Sequence, residues 1–341
     1  MSVFSLVVLI ITIALVFDYI NGFHDAANSV ATVVATRVLT PFQAVVWAAF
    51  FNFVAAFAFG TKVASTVGKG FVDLSLVTPY VILAGLVGAI IWDVLTWWLA
   101  LPTSSSHALI GGYAGAALAR AGLSRGLPHS FQALTLGSWP LTLVFILLAP
   151  LIGLVVAYLL MIVVHWLFRK SSPSRMDYYF RRFQLLSAAA FSLSHGTNDA
   201  QKTMGIITSL LVTSGLQKNF QVQVWVILAA YAAIALGTLS GGWRIVHTMG
   251  GRLTRLKPRS GFCAETGAAG AVLFATHLGL PVSTTHAIAG AIAGVGSIHR
   301  LKAVRWGLAA NIVWAWVLTI PASAVIAWLC FAVLHAMVSG A

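Results

Sequence analysis

Long apolar stretches separated by short polar segments run along the whole chain. They lie at about residues 3 to 20, 41 to 60, 78 to 100, 134 to 169, 184 to 194, 222 to 241, 261 to 280 and 303 to 338. Because roughly 20 apolar residues suffice for one helical crossing of a bilayer, this pattern predicts an all-α integral membrane protein. The two longest stretches exceed one crossing, and we expect Pro150 and Pro321 within them to bend or break a helix.

Two polar motifs occur twice, each time inside apolar sequence. GFHDAAN at residues 22–28 returns in altered form as GTNDAQK at 196–202, and LPTSSSHA at 101–108 returns as LPVSTTHA at 280–287. The copies are 174 and 179 positions apart, so the repeat covers nearly the whole chain. We therefore expect two transmembrane repeats, residues 1–169 and 183–341, joined by a basic cytoplasmic linker at 170–182, with one polar site between them.

The charge of equivalent loops indicates how the two repeats are oriented. The connection that contains Lys62, Lys69 and Asp73 has one net positive charge, whereas the equivalent connection from Arg244 to Arg259 carries five basic residues. Basic loops usually face the cytoplasm. This asymmetry predicts inverted-topology repeats, with the N-terminus outside and the basic linker inside.

The segments that follow the two Leu-Pro pairs are rich in small residues and too short for simple spans. Residues 103–121 and 282–296 are predicted to form re-entrant helical hairpins, because Ser and Thr after a proline can cap a helix start. Glycines spaced four residues apart allow helices to approach closely. These glycines are Gly111 with Gly115 and Gly290 with Gly294.

The composition supports a membrane protein and excludes several other classes. Of 341 residues, 60% are hydrophobic and 8% charged, against about a quarter charged in soluble proteins. The net charge of +13 comes from basic loops, so we attribute it to membrane topology and expect no nucleic-acid partner. Cys263 and Cys330 lie in apolar sequence and predict neither a disulfide nor a thiolate metal site. The single glutamate, Glu265, follows Ala264, which excludes an H-E-x-x-H motif, and we expect no enzyme.

Acidic side chains in apolar segments are the strongest functional signal, because such groups are costly inside a membrane. Asp25, Asp199 and Glu265 are the main candidates, while Asp18 and Asp93 could be local polar partners. Helix N-termini carry unpaired N–H groups and suit an anion with several acceptor oxygens. We expect four half-helix starts, at Asp25, Thr103, Asp199 and Val282, to converge on one tetrahedral oxyanion. Hydroxyl groups of the hairpin motifs are expected to add donors, namely those of Ser104, Ser105, Ser106, Ser283, Thr284 and Thr285.

Two carboxylates beside such an anion would repel it unless a cation lies between them. The aspartates therefore require protons, sodium ions or a divalent metal, and this requirement is a basis for ion coupling. Asn28 and Asn198 can supply carbonyl ligands or amide donors, and Lys202 a compensating charge. Lys202 could equally snorkel or pair with Asp199. His107 and His286 either line the site or pack at the hairpin starts.

These motifs resemble those of the Pit/PiT family of inorganic phosphate transporters, bacterial type. The resemblance rests on both G-x-x-D-A-x-N/K motifs, both P-x-[ST]-[ST]-[ST]-H motifs and FCAET at residues 262–266. It implies a multi-pass cation-coupled symporter of the inner membrane that imports phosphate by alternating access and forms homodimers. The phosphate ligands it implies are Asp25, Asn28, Ser104, Ser105, Asn198, Asp199, Ser283 and Thr284. The coupling-cation candidates are Asp25, Asp199, Glu265, Asn28 and Asn198, with no resident cofactor.

The sequence departs from a symmetric pattern at two places and leaves the coupling ion open. His24 is the counterpart of Asn198, and Asn28 is the counterpart of Lys202. The resemblance is compatible with H+ or Na+ coupling, and with Mg2+ or another divalent metal carried as a metal-phosphate complex. A sulfate or other oxyanion permease of the same fold is an alternative, as is a divalent-cation carrier, since Asp and His suit metals.

Overall fold

A computed structural model describes residues 2–57, 60–298 and 301–338 of the chain. Residues 58 and 59 of the apolar stretch predicted at 41 to 60 lie outside this description, as do residues 339–341 of the predicted second repeat. Within the described ranges the chain forms twelve α-helices and no β-strand. Their bounds are α1 Val3–Ala35, α2 Pro41–Val54, α3 Lys62–Lys69, α4 Pro79–Trp98, α5 Ser105–Arg125, α6 Trp139–Leu167, α7 Pro173–Thr213, α8 Val224–Ser240, α9 Trp243–His247, α10 Pro258–His277, α11 Thr284–Ser297 and α12 Trp306–Met337.

Prolines and hydroxyl side chains fix where several helices begin. The N-cap residues Thr40, Thr78 and Ser172 each precede a proline at the first helical position and accept a hydrogen bond from a backbone N–H of the first turn. Proline is favoured there because its missing N–H would be unpaired in any case. The starts of α2, α4 and α7 are therefore encoded locally.

Several helices are suited to a membrane. By length and composition, α1, α4, α6 and α12 can each cross one, and up to six spans result if each bent helix pair counts as one. Helix α8 and the segment from Trp243 to Arg252 form such a pair, bent by 61°. Gly241, with a φ of +69°, lies at the break, where its positive φ is tolerated without a side chain. The chain is thus an all-helical, multi-pass membrane protein, as predicted.

Pro150 and Pro321, each expected to bend or break a helix, do not break one, and a bend at either proline stays a prediction. Helices α6 and α12 continue through them as single helices of 29 and 32 residues. Membrane helices tolerate a proline where neighbouring helices compensate for the lost backbone bond. Gly290 of α11 packs directly on the backbone of Pro150, which supports α6 at this point.

Two of the four expected half-helix starts do not exist. Asp25 lies within α1 and Asp199 within α7, and both helices continue well beyond the aspartate. The backbone stays helical through both polar motifs, and the polar side chains of these motifs contact other helices. The other two starts were predicted within two residues, since α5 begins at Ser105 and α11 at Thr284.

The two halves contain the same sequence of helices and pack reciprocally. Helix α5 packs on α12 and α11 on α6, while α1 packs on α8 and α7 on α2. The predicted glycine pairs make the first two contacts, because a Cβ at Gly111, Gly115, Gly290 or Gly294 would collide with the partner helix backbone. Helices α4 with α5 and α10 with α11 form hairpins. Inverted orientation and re-entrant insertion in a bilayer stay predictions.

The connection between the halves is shorter than the predicted linker. Only residues 168–172 separate α6 from α7, so most of the segment 170–182 is helical. Arg181 in this helical part donates a hydrogen bond of 2.6 Å to the carbonyl of Arg37 just beyond α1. The division into repeats at this point, and its cytoplasmic location, stay predictions.

Candidate functional site

The repeated aspartates meet at the centre of the protein. Asp25 of α1 and Asp199 of α7 are 2% and 0% exposed. One ligating atom each from Asp25, Asp199 and His195 lie within 4.8 Å of one another. Two carboxylates at this separation repel each other strongly unless a cation or proton lies between them. The structure therefore brings the two repeated aspartates together at one buried place.

The tips of the two hairpins lie at the same place. Ser104 caps α5 by accepting from the N–H of His107 at 3.3 Å, and Ser283 caps α11 by accepting from the N–H of His286 at 3.2 Å. The rings of these two histidines are 4.9 Å apart, so the two helix N-termini are neighbours. Each N-terminus contributes partial positive charge to the space between them.

Hydroxyl groups of each hairpin contact the aspartate of the opposite half. Thr285 of α11 donates to Asp25 at 3.5 Å, and the equivalent Ser106 of α5 donates to Asp199 at 3.4 Å. The Nδ2 of Asn28 donates to the hydroxyl of Thr285 at 2.9 Å and to that of Thr284 at 3.3 Å. The site is thus assembled across the interface between the halves, with each half completing the other.

Lys202 breaks the symmetry of the site. Its ammonium is 1% exposed and donates to Asp199 at 2.5 Å and to the carbonyl of Val282 at 2.9 Å. It also donates to the hydroxyl of Ser106. His195 lies 3.1 Å from the other oxygen of Asp199. The sequence left open whether Lys202 snorkels or pairs with Asp199, and the structure shows the ion pair.

The side chains of His24 and Asn198 occupy equivalent positions and tie the helices to the hairpins. His24 lies between Asp25, 2.8 Å from its Nδ1, and Thr96, 3.1 Å from its Nε2. Asn198 donates to Thr276 at 2.7 Å and to the carbonyl of Leu280 at 3.2 Å, and accepts from the N–H of Val282 at 3.3 Å. The Asn198 side chain therefore uses both its amide nitrogen and its amide oxygen in hydrogen bonds within the protein.

The predicted phosphate ligands differ in whether their side-chain polar atoms already have hydrogen-bond partners within the protein. Ser104 and Ser283 are helix caps and the Ser105 hydroxyl interacts with Asp93, whereas the Oδ1 of Asn28 is buried without a hydrogen-bond partner in the described part of the chain. Buried polar atoms are normally paired. Asn28 is accordingly the position best placed to bind a ligand, and the ligand roles of the whole set stay predictions.

Glu265 lies in a separate polar cluster. It accepts from Thr32 at 2.5 Å, from Ser187 at 2.5 Å and from the Nε2 of Gln184 at 3.0 Å. Thr32 follows Asp25 by seven residues on α1, which places it about 10 Å further along the helix. The structure does not bring Glu265 into the aspartate cluster, so as a cation candidate it belongs to a second place in the protein.

Three residues that contact the aspartates were not among the predicted ligands, although the Ser106 and Thr285 hydroxyls were expected as donors. His195, Ser106 and Thr285 all contact Asp25 or Asp199. His195 precedes Asp199 by four residues on α7, a spacing that puts both on one helix face. Ser106 and Thr285 are the third hydroxyls of the two hairpin motifs, one residue beyond the predicted ligands.

An isolated serine motif does not change the non-enzyme interpretation. Residues 122–126, GLSRG, match the letters of a G-x-S-x-G nucleophile motif, but that motif requires a strand-to-helix turn. Here Ser124 is at the C-terminal end of α5 and donates to the carbonyl of Arg120 at 2.7 Å. This serine belongs to a helix terminus and not to a nucleophile elbow.

Comparison with known proteins assigns this architecture to a family. The model of the phosphate transporter family matches residues 21–327, which include both aspartates and both hairpin tips. The chain belongs to the phosphate transporter family. Members of this family are transporters, in agreement with the expectation of no enzyme.

Two relatives of this phosphate transporter family member match over nearly their full length. A probable low-affinity inorganic phosphate transporter of Rhizobium meliloti is 55% identical, with 96% of each chain covered. A protein of the same description in Bacillus subtilis is 42% identical, with 97% of each covered. A solved structure described as the sodium-dependent phosphate transporter is 25% identical with a TM-score of 0.82, covering 98% of this chain and 100% of its own.

Proposed function

We propose that this chain imports inorganic phosphate together with a cation across the cytoplasmic membrane. The observation that carries the proposal is the meeting of two hairpin N-termini with Asp25 and Asp199 at one buried place. Helix N-termini and hydroxyls supply donors for a tetrahedral oxyanion. The relatives that match over their full length are described as phosphate transporters.

Cation coupling follows from the charge of the site. Phosphate cannot be stable beside two carboxylates unless positive charge accompanies it. Asp25, Asp199, Asn28 and Asn198 are the proposed cation ligands near the aspartate cluster, and Glu265 is a further candidate in its own cluster. The related solved structure is described as sodium-dependent, which makes Na+ one candidate beside H+.

A divalent metal carried with phosphate is a second form of the same proposal. Asp25, His195 and Asp199 offer ligating atoms within 4.8 Å of one another, and carboxylate and imidazole groups suit divalent metals. Lys202 competes for one oxygen of Asp199. If the metal is carried as a metal-phosphate complex, we expect Mg2+ to increase the rate of phosphate uptake.

Alternating access is supported by the burial of the site. Asp25, Asp199, Ser105 and Thr284 are each at most 2% exposed, so phosphate can reach them only after helices move. The interface between the two reciprocally packed halves is the place where such movement opens the site. Homodimer formation and location in the inner membrane are further parts of this proposal that rest on the family resemblance.

Uptake of labelled phosphate into proteoliposomes tests the proposal. The gradients to compare are sodium, proton and neither, each with and without Mg2+, and unlabelled sulfate serves as competitor. We expect concentrative phosphate uptake with one cation gradient and little inhibition by sulfate. Sulfate uptake without phosphate uptake would refute phosphate as the substrate, and metal uptake that is independent of phosphate would favour a divalent-cation carrier.

A further inference from the structure

We infer that the Lys202 ammonium permanently occupies one cation position of the transport site, so that this chain binds one exchangeable cation fewer than it would with an amide there. This inference rests on the proposed function and specifies its coupling. It concerns the half of the site around Asp199.

The ligands around Lys202 are those of a hard cation. The ammonium contacts a carboxylate oxygen of Asp199, the Ser106 hydroxyl and the carbonyl of Val282, which lies in the non-helical segment between α10 and α11. Carboxylates together with carbonyls of unwound segments are the groups that coordinate coupling ions in secondary transporters. A tethered ammonium supplies the same positive charge without an exchangeable ion.

The burial and pairing of Lys202 exclude a role on the surface. It is among the largest fully buried side chains, and its pair with Asp199 is the one Lys or Arg ion pair with an acidic side chain found in residues 2–57, 60–298 and 301–338. A buried charge is stable only when it is paired and hydrogen-bonded. The ammonium is therefore part of the neutralisation of Asp199 and not a snorkelling group.

The equivalent position in the other half has no such cation. Asn28 replaces Lys202 in the repeat, and its Nδ2 donates to Thr284 and Thr285 while its Oδ1 has no partner among the described residues. Asp25, one turn earlier on α1, makes no lysine or arginine contact in the described structure. An exchangeable cation therefore has ligands beside Asp25, while the position at the Oδ1 of Asp199 is already filled by the ammonium.

The experiment counts sodium ions bound to the purified full chain in saturating phosphate, using radioactive sodium. Lys202→Asn reproduces the residue of the first repeat and supplies an oxygen in place of the ammonium. We expect this variant to bind one sodium more per chain than the wild type. We also expect its rate of phosphate uptake in sodium medium to exceed that in choline medium by about tenfold or more. Equal sodium counts in the two proteins overturn the inference.

Two further variants keep the inference testable if Lys202→Asn does not fold. Lys202→Met removes the charge without adding an oxygen, and wild-type uptake by this variant in sodium-free medium overturns the inference. Asp25→Asn leaves the pair of Lys202 with Asp199 intact and removes the other carboxylate of the aspartate cluster, so it should bind one sodium fewer than the wild type. An unchanged sodium count in Asp25→Asn also overturns the inference.

The failure of this inference is distinguishable from failure of the proposed function. If the wild type takes up phosphate but Lys202→Asn acquires no additional sodium, the transport function stands and only the role of Lys202 is rejected. If the wild type does not take up phosphate, the proposed function fails, while the sodium counts still report on Lys202.

Discussion

Replacing either aspartate by asparagine should stop coupled uptake, but the two replacements should differ in their effect on stability. In the wild type the Lys202 ammonium lies 2.5 Å from the Asp199 carboxylate. Asp199→Asn leaves this ammonium buried without a carboxylate partner. Asp25→Asn removes a charge that contacts His24 and Thr285 and no lysine. The asymmetry of the site therefore predicts an asymmetry in the free energy of unfolding.

The magnitude follows from the geometry of the pair. At 2.5 Å and an effective dielectric constant of about 20, the attraction is about 7 kcal/mol before desolvation is subtracted. Breaking a buried pair by removing one partner costs about 3–5 kcal/mol, because the other charge is left uncompensated. For a chain of 341 residues this corresponds to a fall in Tm of about 5 °C. Asp25→Asn should cost less than about 1.5 kcal/mol, since asparagine can still accept a hydrogen bond from His24.

Thermal unfolding of the purified variants in detergent measures this difference, and a double-mutant cycle isolates the pair. Asp199→Asn combined with Lys202→Met removes both charges and should recover most of the Tm lost in the single aspartate variant. The reasoning is refuted if Asp199→Asn and Asp25→Asn lower the Tm equally, or if the double variant is less stable than Asp199→Asn.

Three other outcomes are expected. Ser105→Ala should mainly raise the KM for phosphate, whereas Ser104→Ala should mainly lower the Tm because a helix cap worth about 1 kcal/mol is lost; equal effects in both assays would contradict this assignment. Glu265→Gln should cut uptake about tenfold or more while the protein still folds, because Thr32 and Ser187 donate to the carboxylate, and full uptake would remove Glu265 from the mechanism. Gly115→Ala should destabilise by about 1–3 kcal/mol through collision with α12, whereas Gly270→Ala, which meets open space, should be neutral or stabilising by up to about 1 kcal/mol in thermal unfolding.

The helices that contain Pro150, Pro321, Asp25 and Asp199 are continuous, which the sequence alone did not predict. Pro150 and polar motifs such as GFHDAAN are typical of broken membrane helices, but local sequence does not include the neighbour that supports the backbone. In the structure Gly290 lies on Pro150, and the polar side chains around Asp25 find partners on α11 and α4. These helices therefore stay continuous, because packing supplies what the local pattern lacks.

The sequence indicated Glu265 as a buried acid but did not predict which residues surround it. Its partners Thr32, Gln184 and Ser187 come from α1 and α7, far apart in the chain. At the equivalent positions of the other half, the repeat spacing places apolar residues, among them Ile206 and Ile10. The sequence therefore contains the asymmetry, but only the fold identifies which residues it joins.

By itself the sequence determined the helical membrane class, the two repeated motifs and the hairpin starts to within two residues. Periodic polarity and capping residues act locally, so they can be read without neighbours. Only the tertiary structure decided how closely Asp25 and Asp199 approach, that one hydroxyl of each hairpin contacts the aspartate of the opposite half, and that Lys202 pairs with Asp199. These contacts join residues up to 260 positions apart, and their geometry arises only when the helices pack.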